Sequence, residues 1–143
     1  MIRPRTEADD DAIVEVWTAA SLIATPFLSP QFMADEAERI RTMWLPKAET
    51  WVYEVEGAVG GFMSLIGNEV GAIFVHPDRQ GLGIGRALMD HAVELRGSLV
   101  LDVFQDNAIG RRFYDRYGFR FDREHVHEET GRTQLRLTYE PGD

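Results

Sequence analysis

Hydrophobic and polar positions recur along this chain with two periods, and the switches between them mark its elements. Ile2 to Thr6 reads as a short first strand. Ala12, Ile13, Val16, Trp17 and Ala20 then return at helical spacing. Thr6 or Asp9 can cap that helix, and Glu7, Asp9, Asp10 and Asp11 lie near its positive end. Two prolines in Thr25-Pro26-Phe27-Leu28-Ser29-Pro30 break the pattern, and Ser29-Pro30 can start a second helix marked by Phe32, Met33, Ala37, Ile40 and Trp44. Period-two, β-branched segments follow. Thr50 to Glu56 turns at Gly57, Val59 to Ile66 ends in a Gly67-Asn68 hairpin signal, and Val70 to His76 is closed by Pro77. After the glycines at 81, 83 and 85, Ile84, Ala87, Leu88, Ala92 and Leu95 mark a third helix that stops at Gly97. Leu99 to Phe104 is a strand, Asn107 to Tyr117 a fourth helix ended by Gly118, and Phe119 to His127 and Thr133 to Tyr139 are strands around a Thr130-Gly131 turn. The order β-α-α-β-β-β-α-β-α-β-β predicts a mixed α/β architecture, one sheet with helices on both faces.

The length of 143 residues suits one core, so residues 1–143 are expected to form a single domain. Disorder is expected only at Pro141-Gly142-Asp143. The chain has no cysteine, which excludes a disulfide scaffold, a thiol nucleophile and a thiolate metal site. No apolar stretch follows the charges at the N-terminus and no apolar run approaches the roughly 20 residues that span a bilayer, so neither a signal peptide nor a membrane anchor is expected. A cytoplasmic location follows as an expectation. The net charge of −9 disfavours nucleic acid and anionic membranes as partners and favours a cationic one. Lys47 is the only lysine, so the positive charge is almost all arginine.

The chemistry begins at Arg79-Gln80-Gly81-Leu82-Gly83-Ile84-Gly85-Arg86. A strand, a glycine-rich turn and a helix start make an anion site, because free amides point outward and the helix dipole favours negative charge. Pyrophosphate is the natural guest, and Arg79 and Arg86 can add charge-assisted bonds. The dinucleotide spacing G-x-G-x-x-G fails from either Gly81 or Gly83, and no Gly-Lys exists for a P-loop. What remains is Gln80-x-x-Gly83-x-Gly85.

In context, Val75-His76-Pro77-Asp78-Arg79-Gln80-Gly81-Leu82-Gly83-Ile84-Gly85-Arg86-Ala87-Leu88-Met89 resembles the acetyl-CoA-binding segment of the GNAT acetyltransferases. Asn107, Phe113-Tyr114 and Gly118-Phe119 resemble the second motif of that family, at its spacing. The Phe27-Leu28-Ser29 segment and the layout resemble a small bacterial, YjaB-like branch. The resemblance implies a central, mostly antiparallel sheet of six to seven strands flanked by four helices. It implies an acetyl-CoA-dependent N-acetyltransferase that acts on a primary amine of a small molecule or protein, by direct transfer and without a metal. Homodimers are frequent in the family. A non-catalytic acyl-CoA sensor on the same fold is the competing reading, and Tyr114 favours the enzyme. Backbone amides of Gly81, Leu82, Gly83, Ile84, Gly85 and Arg86, with Arg79 and Gln80 beside them, would hold the pyrophosphate. Main-chain groups of Ile73, Phe74 and Val75 would pair with the pantetheine arm, and Asn107 would contact the cofactor. Tyr114 would sit at the sulfur.

Acetyl transfer needs a deprotonated amine, a stabilised oxyanion and a proton for the leaving thiolate. The Val75 N–H could serve the oxyanion. Tyr114 can carry the proton at neutral pH. Asp102, Glu69 and His76 are the alternatives for the base, beside a water chain. His125-x-His127 places two imidazoles on one strand face without further ligands, so they are read as exposed edge histidines, and His91 as a packed one. Thr25, Phe27, Trp44, Trp51 and Tyr139 are candidates for lining the acceptor pocket. Gly110 stands where many family members carry alanine, which softens the fourth helix.

Overall fold

The computed structural model describes residues 1–142; Asp143, the last residue of the expected disordered tail, lies outside them. Its strands are β1 (Ile2–Pro4), β2 (Glu49–Val55), β3 (Ala58–Ile66), β4 (Glu69–Val75), β5 (Leu99–Phe104), β6 (Arg120–Val126) and β7 (Thr133–Tyr139). Its main helices are α1 (Asp10–Ala24), α2 (Pro30–Arg39), α3 (Ile84–Arg96) and α4 (Ala108–Tyr117). These elements agree with the sequence pattern to within a residue or two at most ends. The second helix differs, because α2 passes into a π-helical turn at Ile40–Trp44 and a last turn at Leu45–Lys47. Pro46 supplies the reason. It has no N–H to bond the Thr42 carbonyl, and its ring crowds that carbonyl unless the helix widens.

The strands form one seven-stranded sheet in the order β1-β2-β3-β4-β5-β7-β6. Every pairing is antiparallel except β4 with β5, which are parallel and in register only at Glu69 and Val100. Beyond that pair the two strands diverge. A bulge adds to the opening: Ser64 faces Ala72 and Leu65 faces Val70, which leaves Gly71 as an extra residue on β4.

Two apolar clusters sandwich the sheet. On one face Leu88, Met89 and Ala92 of α3 pack against Met63, Leu65, Leu99 and Leu101, all almost completely buried. On the other, Ile13, Val16 and Trp17 of α1 pack with Ile40, Leu45, Val52 and Phe62. Gly61 on β3 lets α3 approach, since a Cβ there would lie 2.9 Å from the Phe74 carbonyl and 3.0 Å from Ile84 Cγ2. The second cluster reaches only β2 to β4, so the same face of β5, β7 and β6 carries half-buried polar side chains instead of a core. No helix among the described residues is long and apolar enough to cross a membrane.

Candidate active site

The glycine-rich turn is built as its sequence demands. Gly81 (φ 83°) and Gly83 (φ 79°) occupy the left-handed region, which side chains with a Cβ resist. Gly83 caps α3, and the first backbone bond of that helix runs from the Ala87 N–H to the Gly83 carbonyl. Among the described residues, none of the amides from Gly81 to Arg86 donates to a protein group. A Cβ at Gly81 or Gly83 would meet nothing within 4 Å, so the cradle is open. Exposed, unpaired donors at the positive end of a 13-residue helix fit a pyrophosphate. Gly85 answers to packing instead, because its Cβ would press on the Phe113 ring at 3.3 Å. Arg86 lies over the Tyr117 ring at 5.7 Å, and the Tyr117 hydroxyl donates to Asp90 at 2.6 Å. Gln80 Nε2 reaches the Val75 carbonyl at 3.4 Å and so closes the turn. His76 caps the short helical turn at Pro77–Arg79, its Nδ1 accepting from the Asp78 N–H.

The divergence of β4 from β5 leaves main-chain groups along β4 without a strand partner. The His76 N–H donates to Gly60 on β3. Alternation then turns the N–H and C=O of Val75 and Ile73 toward the gap and those of Phe74 toward β3. Phe74 is therefore a correction to the expected set: its main chain belongs to the sheet, while its ring stacks on Phe62 at 5.7 Å.

Tyr114 lies on α4 against Phe113 and Phe119, with ring centroids 5.5 and 5.7 Å away. Its hydroxyl has no partner among the described residues, and desolvation pushes its pKa up to about 12. Asn107 caps α4, its Oδ1 accepting the Gly110 N–H at 2.8 Å. An alanine Cβ at Gly110 would lie 2.7 Å from Asn107 Nδ2, so the Asn107 side chain would have to shift to admit it. The Asn107 amide nitrogen is left for another partner.

Asp102 and Glu69, proposed from sequence as separate candidates, share one arginine. Arg136 on β7 reaches both oxygens of Asp102 at 3.3 Å and Glu69 Oε1 at 3.8 Å. His125 Nε2 lies 3.1 Å from Asp102 Oδ1. His127 pairs through Nδ1 with Thr130 Oγ1 at 2.9 Å and packs on Phe104. Neither histidine is the free edge group expected from sequence. Strand alternation could have placed Asp102, Arg136 and His125 off the apolar face, but register decided which of them meet. His91 packs edge-on to Trp51 with its Nε2 buried and unpaired. The described residues contain no cluster of three metal-ligating side chains.

Beside this chain of groups lies a cavity of about 370 Å³, lined by Phe27, Phe32, Asp35, Glu129 and Arg132 among others. Of the five pocket candidates, Phe27 lines it. Thr25 caps α1 through the Ser21 carbonyl, while Trp51 and Tyr139 pack on the α3–α4 face. Trp44 lies half-exposed in the π-helical turn.

Residues 46–121 match the acetyltransferase (GNAT) domain family. The chain belongs to that family, whose members move an acetyl group from acetyl-CoA to an amine. It is similar to the peptidyl-lysine N-acetyltransferase YiaC of Escherichia coli K12, 33% identical over 83% of this chain and 82% of that one. It is also similar to the peptidyl-lysine N-acetyltransferase YjaB of the same organism, 31% identical over 83% of this chain and 81% of that one. The solution structure of apo YjaB superposes with a TM-score of 0.88 at 29% identity, over 97% of this chain and 96% of that one.

Proposed function

We propose that this protein acetylates lysine side chains of proteins, with acetyl-CoA as donor. The observation that carries the reading is the row of unpaired amides from Gly81 to Arg86, at the mouth of a gap edged by the main chain of Ile73 and Val75. The amides hold the pyrophosphate, and Ile73 and Val75 hold the pantetheine arm as an added strand. The bound donor supplies an activated acetyl thioester. The Val75 N–H is the donor toward the oxyanion. Lysine as acceptor is supported by the names of YiaC and YjaB and by the −9 charge, which attracts cationic chains.

Tyr114 is the proton donor to the leaving sulfur. A phenol whose pKa is raised to about 12 stays protonated throughout the physiological range, and a hydroxyl with no internal partner is free to give its proton. This favours the enzyme over a binding-only module. Calorimetry with acetyl-CoA, CoA and NAD, followed by thiol release and mass spectrometry on lysine peptides, tests the reading. Binding selective for CoA species and a 42-Da gain, about one acetyl group, on lysine are expected. Tyr114→Phe should lower kcat roughly 10²-fold and leave the acetyl-CoA Kd unchanged. Unchanged turnover would remove Tyr114 from the mechanism.

A further inference from the structure

We infer that His125 is the general base for the acceptor amine and that Asp102 is its positioning residue, an inference that rests on the acetyl-transfer reading above. Asp102 itself is poorly placed to act as base, because Arg136 approaches both of its oxygens and His125 occupies one of them as well. A carboxylate so engaged has little capacity left for a substrate proton. It can instead do what a carboxylate does beside an imidazole. By accepting from Nε2 it fixes the tautomer that carries hydrogen on Nε2 and leaves the Nδ1 lone pair free. Nδ1 of His125 has no partner among the described residues.

Position supports the role. Glu69 pairs with Val100 at the point where β4 and β5 meet, and the gap opens from there toward the glycine-rich turn. Glu69, Arg136, Asp102 and His125 form a line of contacts of 3.8, 3.3 and 3.1 Å running from that point across the sheet to β6. The line lies on the α1 side of the sheet, beyond the apolar cluster under that helix and beside the cavity lined by Phe27 and Glu129. Other charged groups on this side are Arg123 of β6, His127, and the Arg39–Glu129 pair. Glu69 stands closer to the meeting point, but its carboxylate faces Arg136 at 3.8 Å.

The protons balance as follows. The acceptor ammonium gives one proton to His125 Nδ1, which returns it to solvent. The amine lone pair forms the new C–N bond, the second proton leaves nitrogen, and the C–S bond breaks with its electron pair on sulfur. Sulfur takes up a proton from the Tyr114 hydroxyl, which is reprotonated by the second proton from nitrogen. One proton is released per turnover.

Nitrogen-detected NMR of the imidazoles in the free protein, paired with kcat/KM against pH, tests this. Wild-type His125 should show the Nε2–H tautomer, and Asp102→Ala should mix the two tautomers, because the acceptor facing Nε2 is lost. The rising limb of kcat/KM should follow the pKa measured for His125. His125→Gln should remove that limb and cost roughly 10²-fold. An Nδ1–H tautomer, or a tautomer unchanged in Asp102→Ala, would overturn the pairing without any assay of turnover. An active wild type whose rising limb survives in His125→Gln would overturn the base alone. A wild type that acetylates no amine would remove the transfer reading and this base together.

Discussion

Gly83 shows how single residues set this site. Its φ of 79° is needed for the turn, and its missing side chain leaves the anion cradle open. Gly83→Val would add both left-handed strain and two methyl groups in the cradle. The variant should fold, as judged by circular dichroism, and show no acetyl-CoA binding by calorimetry. Normal affinity would place the pyrophosphate elsewhere. Gly110 teaches a different lesson. Sequence marks it as a helix-weakening residue, and the structure makes its N–H the donor to the Asn107 cap.

At the scale of elements, β1 is fastened to the start of α1 by a buried carboxylate. Asp9 accepts from Arg3 Nη1 and Nη2 at 2.8 and 2.9 Å and from the Thr6 N–H at 2.8 Å. These donors, chiefly Arg3, hold its pKa down at about 2, against 3.8 in the unfolded chain. A lowered carboxylate contributes stability above the unfolded value and loses it as pH falls through the folded one. Thermal unfolding of the wild type should therefore weaken between about pH 4 and 2. Asp9→Asn should flatten that limb and, at pH 7, cost on the order of 1–2 kcal/mol, a Tm lower by roughly 3–8 °C. The same pH slope in the variant would mean another group governs the acid limb. The π-helical turn before Pro46 is also an element-scale effect, legible as a proline but not as the widened turn that accommodates it.

On the scale of the whole molecule, the chain that carries the anion cradle has a net charge of −9. Long-range attraction should concentrate basic peptides at the surface and fade with salt. The KM for a lysine-rich peptide should rise several-fold between 0.01 and 0.5 M salt, roughly the range over which the Debye length falls from about 30 Å to a few Å. A KM insensitive to salt would assign recognition to local contacts. The periods of the sequence determined the order of elements. The glycine turn was readable too, because a strand, a positive-φ turn and a helix start are local features that a few adjacent residues impose. Tyr114 falls on the same footing as an aromatic on a short helix, whereas the cap at Asn107 shows only in the structure. Pairing across the sheet was not readable. Asp102, Arg136, Glu69 and His125 come from four strands, and a shift of one residue in any register would turn their side chains to the other face. Only the tertiary structure decided that Asp102 is tied to Arg136 and His125, and that Phe74 turns its main chain away from the gap. Local sequence specifies turns and periods, whereas contacts between distant strands depend on a register that the whole packed sheet selects.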